Sequence, residues 1–328
     1  MWQIIGHDRP VHLLQKSVES GRVSHAYLFS GPRHVGKLTL ALELAKALNC
    51  QERDRPCGRC RSCQKIERGV HPDVQVVDLE EGAKNIGIEV VRGIQDGVAL
   101  RPSEGQAKLY IFVEVERLSE AAANALLKTL EEPPPSVVMV LTALDPSALL
   151  PTMVSRCQQV DLLPVPTRII EEELRRRTGM AAEEARLLAS LSRGRVGWAL
   201  RAIANGSVLR RRAAALERLA ALPGASRVDR LSCAAELASL WGRDLEAAQE
   251  LLESWQSWWR DLLLCRLGLG DRVTNLDMRE RLEAEAGRYS AESLGRMVKA
   301  IQETASLLAQ NVNTRLALEV LLLEVPRA

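Results

Sequence analysis

Short apolar runs alternate with helix-like stretches through the first half of the chain. The apolar runs are at residues 25–29, 74–79, 109–115 and 136–142. Their hydrophobic character is nearly continuous, which is typical of strands buried on both faces. Residues 37–49 and the alanine-rich stretch at 121–127 predict helices. This alternation indicates an α/β fold with a parallel sheet and helices on its faces.

The pattern changes after Pro164-Val165-Pro166. From there the chain is rich in Ala, Leu, Arg and Glu at helical spacing and carries few strand signals. We predict three domains: an α/β domain over 1–163, a small helical unit over 164–206 and a longer helical bundle over 207–328.

Composition and charge narrow the class of protein. The 328 residues carry a formal net charge of +2, so any nucleic-acid binding has to come from a local patch. No apolar run reaches the roughly 18 to 20 residues that a membrane span needs. The N-terminal residues lack a basic region followed by an apolar one, so we expect no signal peptide and a cytoplasmic location.

Four of the six tryptophans lie close together, at Trp241, Trp255, Trp258 and Trp259. Large aromatic side chains fill helical cores and also anchor protein–protein interfaces. The core of the predicted bundle is the favoured interpretation, and an interface is the alternative.

A glycine-containing loop, Gly31-Pro32-Arg33-His34-Val35-Gly36-Lys37, follows the first predicted strand and leads into a helix. Backbone N–H groups from Gly31 to Gly36 are suited to bind phosphate oxygens, and Lys37 adds a positive charge. The next residue normally holds Mg²⁺ through a hydroxyl, but here it is Leu38, and Thr39 comes one position late. One residue along a helix turns a side chain by about 100°, away from the metal.

The second metal-binding element of such sites is also altered. It usually ends a neighbouring strand in Asp-Glu, and the candidate here is Ile111-Phe112-Val113-Glu114. Val113 stands in the place of the metal-binding Asp, while Glu114 remains as a water-activating base. Because phosphoryl transfer depends on that metal, we predict that hydrolysis is lost, and binding of ATP by the loop is left open.

Four of the seven cysteines form a cluster with the spacing Cys50-x6-Cys57-x2-Cys60-x2-Cys63. Four thiolates suit tetrahedral Zn²⁺ and leave no open position for chemistry. We predict a structural zinc site. An iron–sulfur cluster and free thiols are the alternatives.

Several stretches together resemble the clamp-loader subunits of bacterial DNA polymerase III, which are AAA+ proteins. They are Ile5-Gly6-His7, residues 24–29, the cysteine cluster, residues 123–134 and residues 149–157. The resemblance covers roughly residues 1–205. The C-terminal bundle is similar mainly in its general helical character and not in specific motifs. It implies a P-loop AAA+ parallel sheet with a zinc-knuckle insert at 50–63, a small helical lid at 164–206 and an all-α collar domain for oligomerisation at 207–328.

The resemblance also implies a role for Ser155-Arg156-Cys157. In clamp loaders this motif presents an arginine finger to ATP bound by the neighbouring subunit, where the guanidinium neutralises charge on the transferring phosphoryl group. Active relatives carry a nucleotide-sensing arginine in a segment similar to residues 194–200, and that position here is Gly197, with Arg195 nearby. A polar phosphate sensor is expected near Thr142.

The altered ATP site is similar to that of the family's stator subunit rather than to that of the ATP-hydrolysing gamma/tau subunit. The expected function is to help load the sliding clamp onto primed DNA, together with gamma/tau and delta subunits, by supplying Arg156 to a neighbour. One alternative is a gamma/tau-like motor in which Thr39 and Glu114 hold the metal. Another is a zinc-dependent nucleic-acid-binding module. The near-neutral net charge weighs against it, and so does the lack of interleaved aromatic and basic residues.

Overall fold

The computed structural model describes residues 2–80, 82–83, 85–310 and 312–327. The strands in these ranges are β1 (Ala26–Ser30), β2 (Val74–Val77), β3 (Lys108–Phe112), β4 (Val137–Ala143) and β5 (Gln158–Asp161). The α-helices are α1 (Asp8–Glu19), α2 (Lys37–Asn49), α3 (Arg61–Glu67), α4 (Ile88–Val98), α5 (Glu120–Glu131), α6 (Pro151–Val154), α7 (Thr167–Thr178), α8 (Ala182–Ser192), α9 (Val196–Ala204), α10 (Ser207–Ala221), α11 (Arg227–Arg243), α12 (Leu245–Arg266), α13 (Arg279–Ala286), α14 (Ala291–Ala309) and α15 (Thr314–Leu323).

The five strands form one sheet in the order β2-β3-β4-β1-β5, and every neighbouring pair is parallel. The predicted α/β fold with a parallel sheet is therefore confirmed. The strands predicted at 74–79 and 109–115 end earlier, at Val77 and Phe112. β5 was not predicted, because only Val160 of its four residues is apolar and buried.

Side chains of the sheet pack into two apolar layers. Leu28 and Phe112 lie in the layer that contains residues of α4 and α5. Tyr27, Phe29 and Ile111 lie in the layer that contains residues of α1 and α2. Because β1 and β3 are buried on both faces, every residue in them is buried, which explains the continuous apolar runs in the sequence.

The chain divides into two compact units. The first comprises residues 1–178 and 194–198 and contains the sheet, and the second comprises residues 179–193 and 199–328 and is helical. The three-domain division at 163/164 and 206/207 stays a prediction. None of the helices in the described ranges has the length and apolar character needed to cross a membrane.

The clustered tryptophans belong to the core of the second unit. Trp255, Trp258 and Trp259 are buried on α12, and Trp241 packs half-buried against the same core. Trp255 Nε1 donates a hydrogen bond of 2.8 Å to the carbonyl oxygen of Ala215, so this indole is satisfied inside the bundle. The favoured interpretation of the tryptophans as core residues is thus confirmed.

Candidate functional site

The predicted phosphate-binding loop lies between the carboxyl end of β1 and the start of α2. Gly31 is required where the chain leaves the strand, because its φ is 142° and an added Cβ would lie 2.2 Å from the carbonyl oxygen of Leu162. Gly36, at φ 121°, is the N-cap of α2, and a glycine has no side chain with which to cap the helix. The N–H groups at the start of a helix are suited to bind an anion.

Lys37 points back to its own loop. Its Nζ donates hydrogen bonds to the carbonyl oxygens of Gly31 and Pro32, the latter at 2.9 Å. Burial disfavours the charged amine and lowers the pKa of Lys37 from 10.5 to about 8, although the nearby carboxylates of Glu114 and Glu116 oppose this shift. The positive charge at the loop is thus present at neutral pH and lost in mildly alkaline solution.

Two sequence motifs outside the loop hold its backbone. The ring N–H of His7, from the Ile5-Gly6-His7 motif, donates to the carbonyl oxygen of Val35 at 3.0 Å. The backbone N–H of Gly197 donates to the carbonyl oxygen of His34 at 2.7 Å. A Cβ at Gly197 would lie 2.9 Å from that same oxygen, so the position of the expected sensor arginine accepts only glycine in this arrangement.

The two positions that normally organise Mg²⁺ are apolar in the folded chain as well. Leu38 is half-buried and packs into the apolar layer over one face of the sheet, while Thr39 is exposed on α2. Val113 is half-buried, and its backbone N–H donates to the carbonyl oxygen of Val77 at 2.8 Å. Neither Leu38 nor Val113 has a side-chain oxygen, so these two positions supply no side-chain ligand to Mg²⁺.

Glu114 is enclosed by two guanidinium groups. Arg33 of the loop donates from Nε to Oε1 at 2.9 Å and from Nη2 to Oε2 at 2.8 Å. Arg117 Nη2 lies 2.7 Å from the same Oε2. The backbone N–H of Glu114 donates to Thr142 Oγ1 at 2.9 Å, at the carboxyl end of β4. The carboxylate predicted to act as a base is thus occupied by ion pairs within its own chain.

The four clustered cysteines come together at the opposite end of α2. Cys50 caps the end of α2, and Cys60 and Cys63 lie at the start of α3. The Sγ atoms of these three and Cys57 all lie within 4.8 Å of one another. Zn–S bonds of about 2.3 Å place tetrahedral ligand atoms about 3.8 Å apart, so this donor set fits a metal ion. Because α2 rises about 1.5 Å per residue, the cluster lies about 20 Å from the loop.

One member of the cluster is already suited to metal binding. Backbone N–H groups of Arg59 and Cys60 donate to Cys57 Sγ at 3.5 and 3.2 Å. Although desolvation opposes ionisation, these bonds lower the pKa of the Cys57 thiol to about 6. A thiolate is the form that binds metal.

A buried Ser62–His71–Asp73 group braces the cysteine insert against the sheet. Ser62 Oγ lies 3.1 Å from His71 Nε2, and the backbone N–H of Asp73 donates to His71 Nδ1 at 3.1 Å. The Asp73 carboxylate instead accepts three backbone N–H groups of residues 103–105. Because Nδ1 accepts a hydrogen bond from the backbone, the neutral ring carries its proton on Nε2 and donates to Ser62 Oγ. His71 therefore cannot act as a base toward Ser62, and the group is structural.

Arg156 lies just after the short helix α6. Its Nη2 is 2.6 Å from Glu131 Oε1, and its Nη1 donates to the carbonyl oxygen of Thr152 at 2.8 Å. The side chain keeps 34% of its surface exposed. The guanidinium is thus fixed at the C-terminal end of α5 and remains accessible to an anion.

Comparison with known proteins places these sites in a family. Residues 6–166 match the family described as DNA polymerase III, delta subunit, and residues 211–326 match its C-terminal counterpart. The DNA polymerase III subunit delta′ of Bacillus subtilis is 31% identical, over 96% of this chain and 94% of that protein. The chain belongs to the delta-prime family of DNA polymerase III subunits. The predicted resemblance to subunits of bacterial DNA polymerase III is thereby confirmed.

Other relatives match a smaller part of their own length. The tau subunit of B. subtilis is 40% identical to this chain over 169 residues, which are 51% of this chain and 30% of the relative. The chain spans about 30% of the length of this tau subunit. Among solved structures, a gamma subunit-related protein of Thermotoga maritima is 21% identical in sequence. The match covers 96% of this chain and 98% of that chain, with a TM-score of 0.45.

Sequence reasoning missed the partners of the predicted site residues. It found Glu114 and Arg156, but it assigned no role to Arg33, Arg117 or Glu131. Arg33 and Glu114 are 81 residues apart, and a pairing over that distance leaves no periodic pattern in one sequence. Thr142 lies at the carboxyl end of β4, where its Oγ1 accepts the backbone N–H of Glu114, and its expected role as a phosphate sensor stays a prediction. The functional roles of Gly31, Gly36, Lys37, Thr39, Glu114 and Arg156 stay predictions.

Proposed function

We propose that this chain is the stator of a DNA polymerase III clamp loader, which supplies Arg156 to ATP on a neighbouring subunit and does not hydrolyse ATP itself. The pairing of Glu114 with Arg33 and Arg117 carries this proposal. A carboxylate engaged by two guanidinium groups is not directed at a water molecule, and no oxygen at Leu38 or Val113 holds a metal beside it.

The proposed partners are the gamma/tau and delta subunits, the sliding clamp and primed DNA. Membership of the delta-prime family and the local similarity to tau support this set. Within the loader, Arg156 would approach the γ-phosphate of a neighbour's ATP, because its guanidinium is accessible and keeps N–H groups beyond the two used in its own chain.

An apolar stripe on α15 supports the proposed collar role of residues 207–328. Leu316, Val320 and Leu323 are 57, 51 and 46% exposed, at positions that fall on one helix face. The opposite face of α15 is buried through Leu318 and Leu322. We assign the exposed stripe to contact with the helical collar domain of a neighbouring loader subunit, since that contact would remove it from water.

The cysteine cluster is proposed to hold one structural Zn²⁺. Cys50, Cys57, Cys60 and Cys63 would be its four ligands. A metal with four thiolates organises the irregular segment 51–60 and takes no part in the chemistry of ATP, because the cluster lies at the far end of α2 from the loop.

The test is ATP hydrolysis by the purified chain with Mg²⁺ and primed DNA, compared with the Lys37→Ala variant. We expect no turnover above the variant. Robust turnover that Lys37→Ala abolishes would favour the motor alternative, in which Thr39 and Glu114 hold the metal. The exposure of Thr39 and the ion pairs of Glu114 weigh against that alternative.

A further inference from the structure

Glu131 and Arg156 come from separate elements and meet at the surface of the first unit. Glu131 is the last residue of α5, and its Oε1 lies 2.6 Å from Nη2 of Arg156. We propose that Glu131 is a positioning residue, which holds the Arg156 guanidinium in the orientation used on the neighbouring subunit's ATP. The inference rests on the arginine-finger role proposed above.

The carboxylate is held by the packing of its helix. α5 starts at a Ser119 cap, whose hydroxyl oxygen accepts the N–H of Ala122. Its apolar residues Leu126 and Leu130 are buried against the sheet layer, which fixes the end of the helix. The last residue of α5 therefore presents its carboxylate from a rigid element, as an orienting group requires.

Two contacts fix the guanidinium from different directions. Glu131 engages Nη2, and the Thr152 carbonyl oxygen accepts from Nη1. A guanidinium carries five N–H groups in one plane, so two anchors define that plane and leave the other N–H groups for phosphate oxygens. The negative end of the α5 dipole also favours a cation at this place.

The pair is suited to positioning rather than to holding the protein together. The two side chains are 34% and 50% exposed, and ion pairs at such exposure contribute little to stability. Removal of Glu131 should therefore leave the fold and the assembly intact. Its effect should appear in the chemical step, where the orientation of a charged group counts most.

The test is a double-mutant cycle in a reconstituted loader, with ATP turnover measured in the presence of clamp and primed DNA. Glu131→Ala should lower kcat on the order of tenfold with KM unchanged, and Glu131→Asp should restore part of it. In a loader that already carries Arg156→Ala, Glu131→Ala should have no further effect. Glu132→Ala is the matched control, because Glu132 is exposed, adjacent and forms no ion pair among the described residues.

Each result that contradicts these expectations shows which of the two proposed roles is wrong. If Glu131→Ala lowers turnover equally with and without Arg156, or raises it, the positioning role is wrong while the finger role stands. If Arg156→Ala alone leaves turnover unchanged in an intact loader, the proposed finger role fails and the positioning role fails with it. Size-exclusion chromatography of each variant loader shows whether the complex is intact.

Discussion

Arg33 and Glu114 form a two-point ion pair that joins the predicted phosphate-binding loop to the segment after β3, through contacts of 2.9 and 2.8 Å. Both side chains are largely buried, so the pair is less screened by solvent than a surface ion pair. A hydrolytic site needs a metal ion and a free carboxylate at this place. Here the guanidinium of Arg33, from the same chain, pairs with the Glu114 carboxylate. This ion pair is the structural basis for the proposed stator role.

The low pKa of Lys37 predicts that stability rises with pH above about 8. Burial lowers this pKa from 10.5 to about 8, so between these values the unfolded chain keeps a proton that the folded chain has lost. The free energy of unfolding should therefore increase through this window, by at most about 1.4 kcal/mol per pH unit. Denaturant unfolding from about pH 7 to about pH 9.5 should show the unfolding free energy rising relative to that of Lys37→Met. A constant difference between the two proteins would contradict the shifted pKa.

Gly197 is predicted to tolerate no side chain. A Cβ there would lie 2.9 Å from the carbonyl oxygen of His34 in the loop, so Gly197→Ala should destabilise the protein by about 1 to 3 kcal/mol. The control is Gly295→Ala, in the second turn of α14, where an added Cβ meets nothing within 4 Å. That change should be neutral or stabilise by up to about 1 kcal/mol. Equal effects of the two substitutions in thermal unfolding would show that the close contact at Gly197 is not important.

The sequence predicted the parts of the fold that repeat a pattern. Both ends of the helix at 37–49 were predicted correctly, because its apolar pattern begins just after Gly36. β5 was missed because Gln158, Gln159 and Asp161 are exposed and polar. The cysteine cluster was found because its ligands are close in sequence. Pairs such as Arg33–Glu114 and Arg156–Glu131 join distant segments, so only the folded chain reveals them.

The cysteine cluster predicts about one zinc per chain in metal analysis of the purified protein. Cys63→Ser should remove the metal and lower the melting temperature, because the insert loses the link among its four ligands. Cys233→Ser serves as the control, since Cys233 lies on α11, outside the cluster. An absence of metal from the freshly purified chain, or a full zinc content in Cys63→Ser, would reject the site.

The stripe on α15 predicts a selective defect in assembly. Replacing Leu316 and Val320 by Glu should weaken binding to the other loader subunits, because charges on the stripe oppose its removal from water. The isolated chain should keep its melting temperature, since both side chains are exposed. Leu267→Glu is the control: this residue is 56% exposed at the end of α12. Unchanged assembly by analytical ultracentrifugation would remove α15 from the proposed collar contact.

ATP turnover of a reconstituted loader, with clamp and primed DNA present, tests the stator role most directly when this chain carries either Arg156→Ala or Lys37→Ala. We predict that Arg156→Ala removes turnover at the neighbouring site, by a factor on the order of 10³ or more, and that Lys37→Ala leaves total turnover unchanged. The reverse pattern, with Lys37→Ala lowering turnover and Arg156→Ala silent, would contradict the account and make this chain a motor.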